Sequence, residues 1–431
     1  MESPSSANVE SSGFEVPVVR SIEETGLSLG FLADLVLKFL YYRGSGVSGF
    51  DITEVIRLPF TGVLEPVMEF LKREQFCEVR GRGGIGESSY QYSISERGSN
   101  KAREVLERDM YVGPAPVTLD QYTKAMRQQA LQQVIVHQRE LRQALSHLVI
   151  NPRTFDQIGP AANSARSIFL FGPPGNGKTS IAEAIGFLVM RGSIHIPHAI
   201  VVEGQLIKVF DRMNHVPVSI DEGASRVVDR RWIKIRRPLV VVGGELTLET
   251  LDLTYSETSK NYQAPYQVKA NGGMFLIDDF GRQMVRPADL LNRWIVPLEK
   301  KADYLTLHTG SKIEVPFDVL IVFSTNLKPR DLVDEAFLRR IRHKIFVGNP
   351  NLDEYRELFI RMCKNRKVPY DEQGLVYLLK EHYQKKHLEL RACHPRDILD
   401  QIVDIAHFMN VAPSMSRELI DQSCASYFVE L

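Results

Sequence analysis

The sequence predicts an α/β protein: a mainly parallel sheet followed by a helical C-terminal domain and preceded by a small α+β domain. Three observations predict it. Apolar runs of strand length recur at 168–171, 199–202, 239–242, 274–277 and 319–323 with helical stretches between them, as in a largely parallel sheet. The first run leads directly into a glycine-rich turn and then a helix. After Asn349-Pro350 the strand pattern stops, and 352–431 carries apolar residues at helical spacing only.

Composition narrows the classes. At 431 residues the chain exceeds what one core holds, so two or three domains are expected. Lys+Arg and Asp+Glu both number 53, so no global basic field attracts nucleic acid and any such contact is local. Cys77, Cys363, Cys393 and Cys424 form no CxxC pair, which argues against a disulfide framework or zinc site and for reduced thiols. No charged-then-apolar leader opens the chain, and no apolar run approaches the roughly 18–20 residues that span a bilayer. The expectation is a soluble, cytoplasmic protein without membrane contact.

In chain order, residues 1–20 are polar and aperiodic and are expected to be a disordered tail. A domain over 21–110 follows. It has helices at 31–42, at 51–56 with Asp51 as the capping residue, and at 63–73. Strands at 78–80 and 90–94 then flank the loop Gly81-Arg82-Gly83-Gly84-Ile85-Gly86. Three helices plus such a hairpin resemble a winged-helix domain. A helical linker is expected over 111–150, an α/β core over 151–350, and a helical lid over 351–431.

The turn after the first core strand is Gly172-Pro173-Pro174-Gly175-Asn176-Gly177-Lys178-Thr179, a G-x-x-x-x-G-K-T run opening a helix at Ser180. Strand, loop and helix stand in the order a phosphate cradle needs: backbone N–H groups and the helix N-terminus hold anionic oxygens, and glycine permits their close approach. Lys178 would reach the β and γ phosphates of ATP, and the Thr179 hydroxyl would be a Mg²⁺ ligand. The strand 274–277 ends in Asp278 and Asp279. Asp278 would hold the metal. Asp279 stands where a glutamate usually polarises water; it is one methylene shorter, so either the water shifts or hydrolysis is slow.

Further motifs make 151–431 resemble the AAA+ ATPase family. Phe323-Ser324-Thr325-Asn326 is similar to its sensor 1, which implies that Asn326 orients water against the γ phosphate. The stretch Asp334 to Arg342 is similar to the segment carrying the arginine finger, with Arg340 the first candidate and Arg342 the second. His394-Pro395-Arg396-Asp397 resembles sensor 2, which implies an Arg396–phosphate contact within one subunit. The resemblance implies a homo-oligomeric ring, expected as a hexamer, that couples Mg-ATP hydrolysis to remodelling of a protein client.

Lys178 and Asp278 lie 100 positions apart, longer than a compact core of this family needs. The segment 244–266 is similar to family members with an insertion in their second helix, including bacterial enhancer-binding activators; their client-contacting sequence is absent. A hairpin is also expected over 303–317. Tyr255 and Tyr262 either grip a client or pack on their own subunit. The N-terminal domain leaves two readings open. Arg80 and Arg82 in the wing favour DNA, whereas Glu65, Glu69 and Glu74 on the third helix would repel its backbone. A DNA-linked regulator, loader or helicase is therefore the alternative, and an ATP-binding switch with little turnover is a third.

Overall fold

A computed structural model describes residues 13–82, 87–131, 135–164, 166–218, 228–332 and 338–428. The first twelve residues, the glycine loop at 83–86 and residues 334–337 of the arginine-bearing stretch lie outside these. Among the described residues no helix is long and apolar enough to cross a membrane.

In the N-terminal unit a short helical turn, Ile22–Thr25, precedes α1 (Leu29–Arg43), which is started by Ser28, whose hydroxyl accepts the Phe31 N–H at 3.2 Å. Strand β1 (Val47–Ser48) leads into α2 (Gly49–Ile56). Its cap is Ser48 rather than Asp51. Asp51 is the third helical residue and its carboxylate takes the Ser48 N–H, so the two make a capping box. A break at Gly62, φ 79°, precedes α3 (Glu65–Arg73). Strands β2 (Cys77–Arg82) and β3 (Tyr90–Ile94) form the expected hairpin, and the antiparallel order is β1-β3-β2. Helix α4 (Glu96–Leu106) packs on α1.

The expected tail is corrected over its last residues. The Phe14 ring lies 5.2 Å from Trp232 and 6.0 Å from His195, Val19 is buried, and Pro17 accepts the Asp229 N–H at 2.8 Å. Polar composition averaged over twenty residues conceals these few apolar anchors. The expected helical linker also holds a strand. It contains β4 (Val117–Thr118), α5 (Leu119–Gln128) and α6 (Gln138–Ala144), and α7 (Pro152–Ser164) then leads to the core.

The core sheet begins with β5 (Ile168–Phe171), followed by the glycine-rich loop and α8 (Lys178–Val189). Between α8 and the next core strand lies a long insertion. An antiparallel ribbon pairs β6 (Ser193–Pro197) with β9 (Trp232–Arg236). Between them run β7 (Ala199–Val202) and β8 (Gln205–Lys208), joined at Glu203-Gly204, where φ is 49° and 74°. Positive φ at both positions is the type I′ hairpin turn, and it removes β7 from the main sheet to which its apolar run assigned it. The remaining core strands are β10 (Leu239–Val242), β13 (Met274–Ile277), β16 (Leu320–Thr325) and β17 (His343–Phe346), and the all-parallel order is β10-β13-β16-β5-β17. Ile168 and Leu170 face one apolar cluster and Phe169 the other, so β5 is buried on both faces. Strand β17 escaped the sequence reading because an edge strand with exposed Lys344 and Phe346 lacks a continuous apolar run.

The insertion continues with β11 (Thr254–Ser256) and β12 (Asn261–Gln263), completing a second sheet in the order β11-β12-β8-β7-β4. After α9 (Pro287–Lys300) comes the expected hairpin, β14 (Ala302–Thr306) and β15 (Lys312–Pro316), with His308 at its turn. Tyr255 stacks on His308 with ring centroids 4.7 Å apart, while Tyr262 is 1% exposed and its hydroxyl oxygen accepts the His308 N–H at 3.0 Å. Of the two readings for these tyrosines, packing on their own chain is the one observed. The C-terminal part, from residue 352, holds α10 (Leu352–Arg366), α11 (Glu372–Leu378), α12 (His394–Phe408) and α13 (Arg417–Tyr427), packed around Tyr355, Phe359, Leu399, Ile402 and Ile420.

A buried ion pair within the insertion carries hydrogen bonds to the N-terminal part of the chain. Arg231 and Asp229 are fully buried with Nη2 and Oδ2 2.8 Å apart, and Arg231 Nη1 donates to the carbonyls of Thr25 and Pro116, each at 2.9 Å. Arg231→Ala would strand a buried carboxylate and leave two carbonyls without their donor. The expected loss is about 3–5 kcal/mol, read as a lower denaturant midpoint. A midpoint matching the parent chain would show that this pair does not hold the two parts together.

Candidate functional site

Strand β5 ends at Phe171 and delivers the loop 172–177 to the carboxyl edge of the sheet, where Asp278 and Asn326 also leave their strands. Two of the glycines are required by their surroundings. Gly172 has φ 144°, and a Cβ there would lie 2.2 Å from the Val347 carbonyl oxygen. Gly175 has φ 78°, and its Cβ would lie 2.4 Å from Cys393 Sγ. Pro173 is half-buried, Pro174 exposed and Asn176 buried; Gly177 caps α8, whose first turn holds Lys178, Thr179 and Ser180.

Lys178 uses three bonds at this edge. Its Nζ donates to the carbonyls of Gly172 at 3.0 Å and Pro173 at 2.9 Å, and to Asn326 Oδ1 at 2.6 Å. Burial pulls the ammonium pKa below the usual lysine range, and the Asp279 and Asp278 carboxylates oppose that shift. Asn326 turns its other end to Asp279, Nδ2 donating to Oδ1 at 3.1 Å. Thr179 donates its hydroxyl to Asp278, 2.9 and 3.1 Å from the two carboxylate oxygens. Lys178, Thr179, Asp278, Asp279 and Asn326 thus form one connected polar group.

Asp279 is exposed and its backbone is left-handed, φ 47°. Aspartate tolerates this region better than most side chains. Gln283, which the motifs did not single out, wraps the turn that follows. Its Nε2 donates to the carbonyls of Asp278 at 3.0 Å and Asp279 at 3.2 Å, and its Oε1 accepts the Gly281 N–H at 2.7 Å.

The lid reaches the loop through the start of α12. The Cys393 N–H donates to the Gly175 carbonyl at 2.9 Å, and the Ala392 N–H to Asn176 Oδ1 at 3.0 Å. Asn176 Nδ2 donates to Asn349 Oδ1 at 2.8 Å; Asn349 read in the sequence only as a domain boundary. Arg396 lies in the first turn of α12, its side chain 58% exposed and paired with Asp397 at 2.8 Å. Burial pushes His394 down to about 4, and its Nδ1 lies 2.8 Å from the Tyr383 hydroxyl.

Arg340 and Arg342 are not brought to this edge. The Arg340 carbonyl accepts the Ser167 hydroxyl at 3.4 Å, at the amino end of β5, and its Nε donates to Glu299 at 2.6 Å. Both arginines line a cavity of about 680 Å³ with Arg166, Arg339, Lys300 and Lys301. Crossing β5 alone separates them from the loop by roughly 13 Å at ~3.3 Å per residue.

The Gly175–Cys393 contact gives a specific expectation. Gly175→Ala meets both positive φ and the sulfur, whereas a Cβ at Gly177, φ 81°, meets nothing within 4 Å. Gly177→Ala should cost about 1–3 kcal/mol from backbone strain, and Gly175→Ala measurably more. Adding Cys393→Ala should recover the difference in thermal denaturation. Equal losses in the two single variants would rule out a tight loop–lid contact.

Residues 351–426 match a family model described as "Domain of unknown function (DUF8689)". Over 253 residues, 57% of this chain, the sequence is 25% identical to spastin of Ixodes scapularis and 25% identical to spastin of Anopheles gambiae. The matches cover 30% and 24% of those proteins, so the chain spans under a third of the curated relatives it matches. Among solved structures, it is similar to NtrX from Brucella abortus in complex with ADP, with a TM-score of 0.41 and 14% identity over 74% of this chain and 64% of that one.

Proposed function

We propose that this chain, whose α/β unit is an AAA+ P-loop core, binds and hydrolyses Mg-ATP in a cytoplasmic ring of identical copies, a hexamer, and uses the resulting movement to remodel a protein client. The observation that carries the reading is the connected group Lys178–Asn326–Asp279 beside Thr179–Asp278. Every member is a residue type that phosphoryl transfer to water uses, and all leave the carboxyl edge of one sheet.

The Thr179 hydroxyl and the Asp278 carboxylate, oxygen donors 2.9 Å apart, fit Mg²⁺ and would hold it. When bound, the ion neutralises charge on the phosphate oxygens. The loop amides and the α8 N-terminus hold the phosphates. Lys178 exchanges the Gly172 and Pro173 carbonyls and Asn326 for phosphate oxygens. Asn326, released from the lysine, orients water, and Asp279 accepts the proton as the water attacks. Arg396 reaches the same nucleotide from the chain's own lid. Arg340, with Arg342 second, serves the site of the adjacent copy, because its own loop is a strand-length away.

A protein client is favoured over DNA at the N-terminal unit. On α3, Lys72 is tied to Glu87 at 3.1 Å while Glu69 stays exposed. The test is steady-state hydrolysis by the full chain with and without Mg²⁺, together with light scattering in a non-hydrolysable ATP analogue. Turnover dependent on Mg²⁺ and assembly in the analogue are expected. Binding without turnover would leave an ATP switch; monomers throughout the micromolar range would remove the ring.

A further inference from the structure

Asp279 is attached to the chain by one methylene fewer than the glutamate usual at its position. Its carboxylate therefore has little rotamer freedom with which to correct a misplaced backbone. Where the carboxylate stands is set by the turn Asp279-Phe280-Gly281-Arg282. One side of that turn is anchored to the end of β16: the Phe280 N–H donates to the Ser324 carbonyl at 2.7 Å, and the Thr325 hydroxyl donates to the Phe280 carbonyl at 2.6 Å. Within the turn, the Arg282 N–H donates to the Asp279 carbonyl at 3.0 Å. The other side is spanned by the Gln283 side chain, which ties Asp278, Asp279 and Gly281 together, while the Asp278 carboxylate accepts the Asp279 N–H at 3.0 Å.

We infer that Gln283 is the positioning residue for the Asp279 carboxylate, an inference that rests on the ATP-hydrolase reading above. Its amide matches this task as no other side chain would. Nε2 supplies two N–H groups to the two carbonyls, and Oε1 supplies the acceptor for the Gly281 N–H. Glutamate at this position would set a negative oxygen against two carbonyl oxygens, and methionine would fill the space without either kind of bond. Gly281 sits in a confined part of the turn. Its φ is 101°, and a Cβ there would stand 2.7 Å from Leu332 and 2.9 Å from Leu327, so the turn leaves room for glycine beside these two side chains. Asn326 then holds the carboxylate from the opposite side, 3.1 Å away. Gln283 touches neither loop nor lid in these contacts. Its effect should fall on the chemical step and leave nucleotide binding to Lys178 and the loop.

The experiment compares full-length parent chain, Gln283→Met and Gln283→Glu in steady-state ATP hydrolysis, with thermal denaturation as a folding control. Both variants are expected to lose about 10²-fold in kcat, the scale of an ångström-sized misplacement, with KM for ATP within about two-fold of the parent. Parent-like kcat in folded Gln283→Met would overturn the inference, as would a loss confined to KM. Hydrogen–deuterium exchange of the peptide 278–284 is the second readout and needs no turnover. The Gly281 amide should exchange faster in both variants while the α8 amides do not change. Unchanged exchange at Gly281 overturns the inference even if the parent chain proves to be inactive, whereas parental inactivity with faster exchange removes the hydrolase reading and leaves the clamp.

Discussion

Lys178→Ala is expected to abolish hydrolysis, with kcat/KM for ATP falling by at least about 10³-fold and equilibrium binding weakened in parallel. The magnitude follows from what the ammonium does. It is a buried cation facing two carboxylates, and burial already lowers its pKa while Asp279 and Asp278 raise it. Without it, the γ phosphate would approach two uncompensated negative groups in a site of low effective dielectric, where such interactions are much stronger than in water. Removing one well-placed donor to a developing charge costs about 10²–10³-fold elsewhere, and here a full charge is lost. Calorimetric titration with ATP and a coupled assay for phosphate measure the two effects separately. Residual turnover within ten-fold of the parent would dismiss the loop as the site of chemistry.

Arg340→Ala is expected to lower kcat by about 10³–10⁵-fold while leaving ATP affinity within a few-fold of the parent, the signature of a cation that stabilises charge in the transition state. Stability should change little. In its own chain Arg340 pairs with Glu299 at a partly exposed position, and such pairs are worth about 0–1 kcal/mol. The decisive version mixes two inactive proteins. Lys178→Ala copies retain the arginine and Arg340→Ala copies retain the loop, so in a mixed ring some interfaces regain a complete site and turnover returns. An arginine acting within its own chain predicts no recovery. Arg342→Ala run beside them decides between the two candidates, and Arg340→Lys shows whether charge alone suffices without the planar fork.

The glycine-rich loop was legible because its requirements are local. Gly172 and Gly175 are needed for backbone angles and close approach, and Lys178 and Thr179 follow directly on the helix that presents them. The inner strands β5, β13 and β16 were legible for a similar reason: each is an apolar run buried on both faces. The edge strand β10 was legible too, because all four of its residues are apolar although Leu239 and Val241 are exposed. The other edge strand and partner choice were not. Strand β17 carries a lysine and an exposed phenylalanine, and β7 went to the second sheet because Glu203-Gly204 turned it onto β8.

By itself the sequence determined which residues compose the glycine-rich loop, the acidic strand end and the asparagine strand end, since contiguous residues satisfy those steric and hydrogen-bonding demands. Only the tertiary structure decided how they meet. It made Asn326 a bridge between Lys178 and Asp279 and brought Cys393 of the lid against Gly175. It also set Arg340 at the opposite end of β5 and wrapped Gln283 around the turn that aims Asp279. These relations join residues tens to hundreds of positions apart, or depend on a backbone angle that no run of side chains specifies. They follow from which strand pairs with which, and many apolar runs in this chain could have paired.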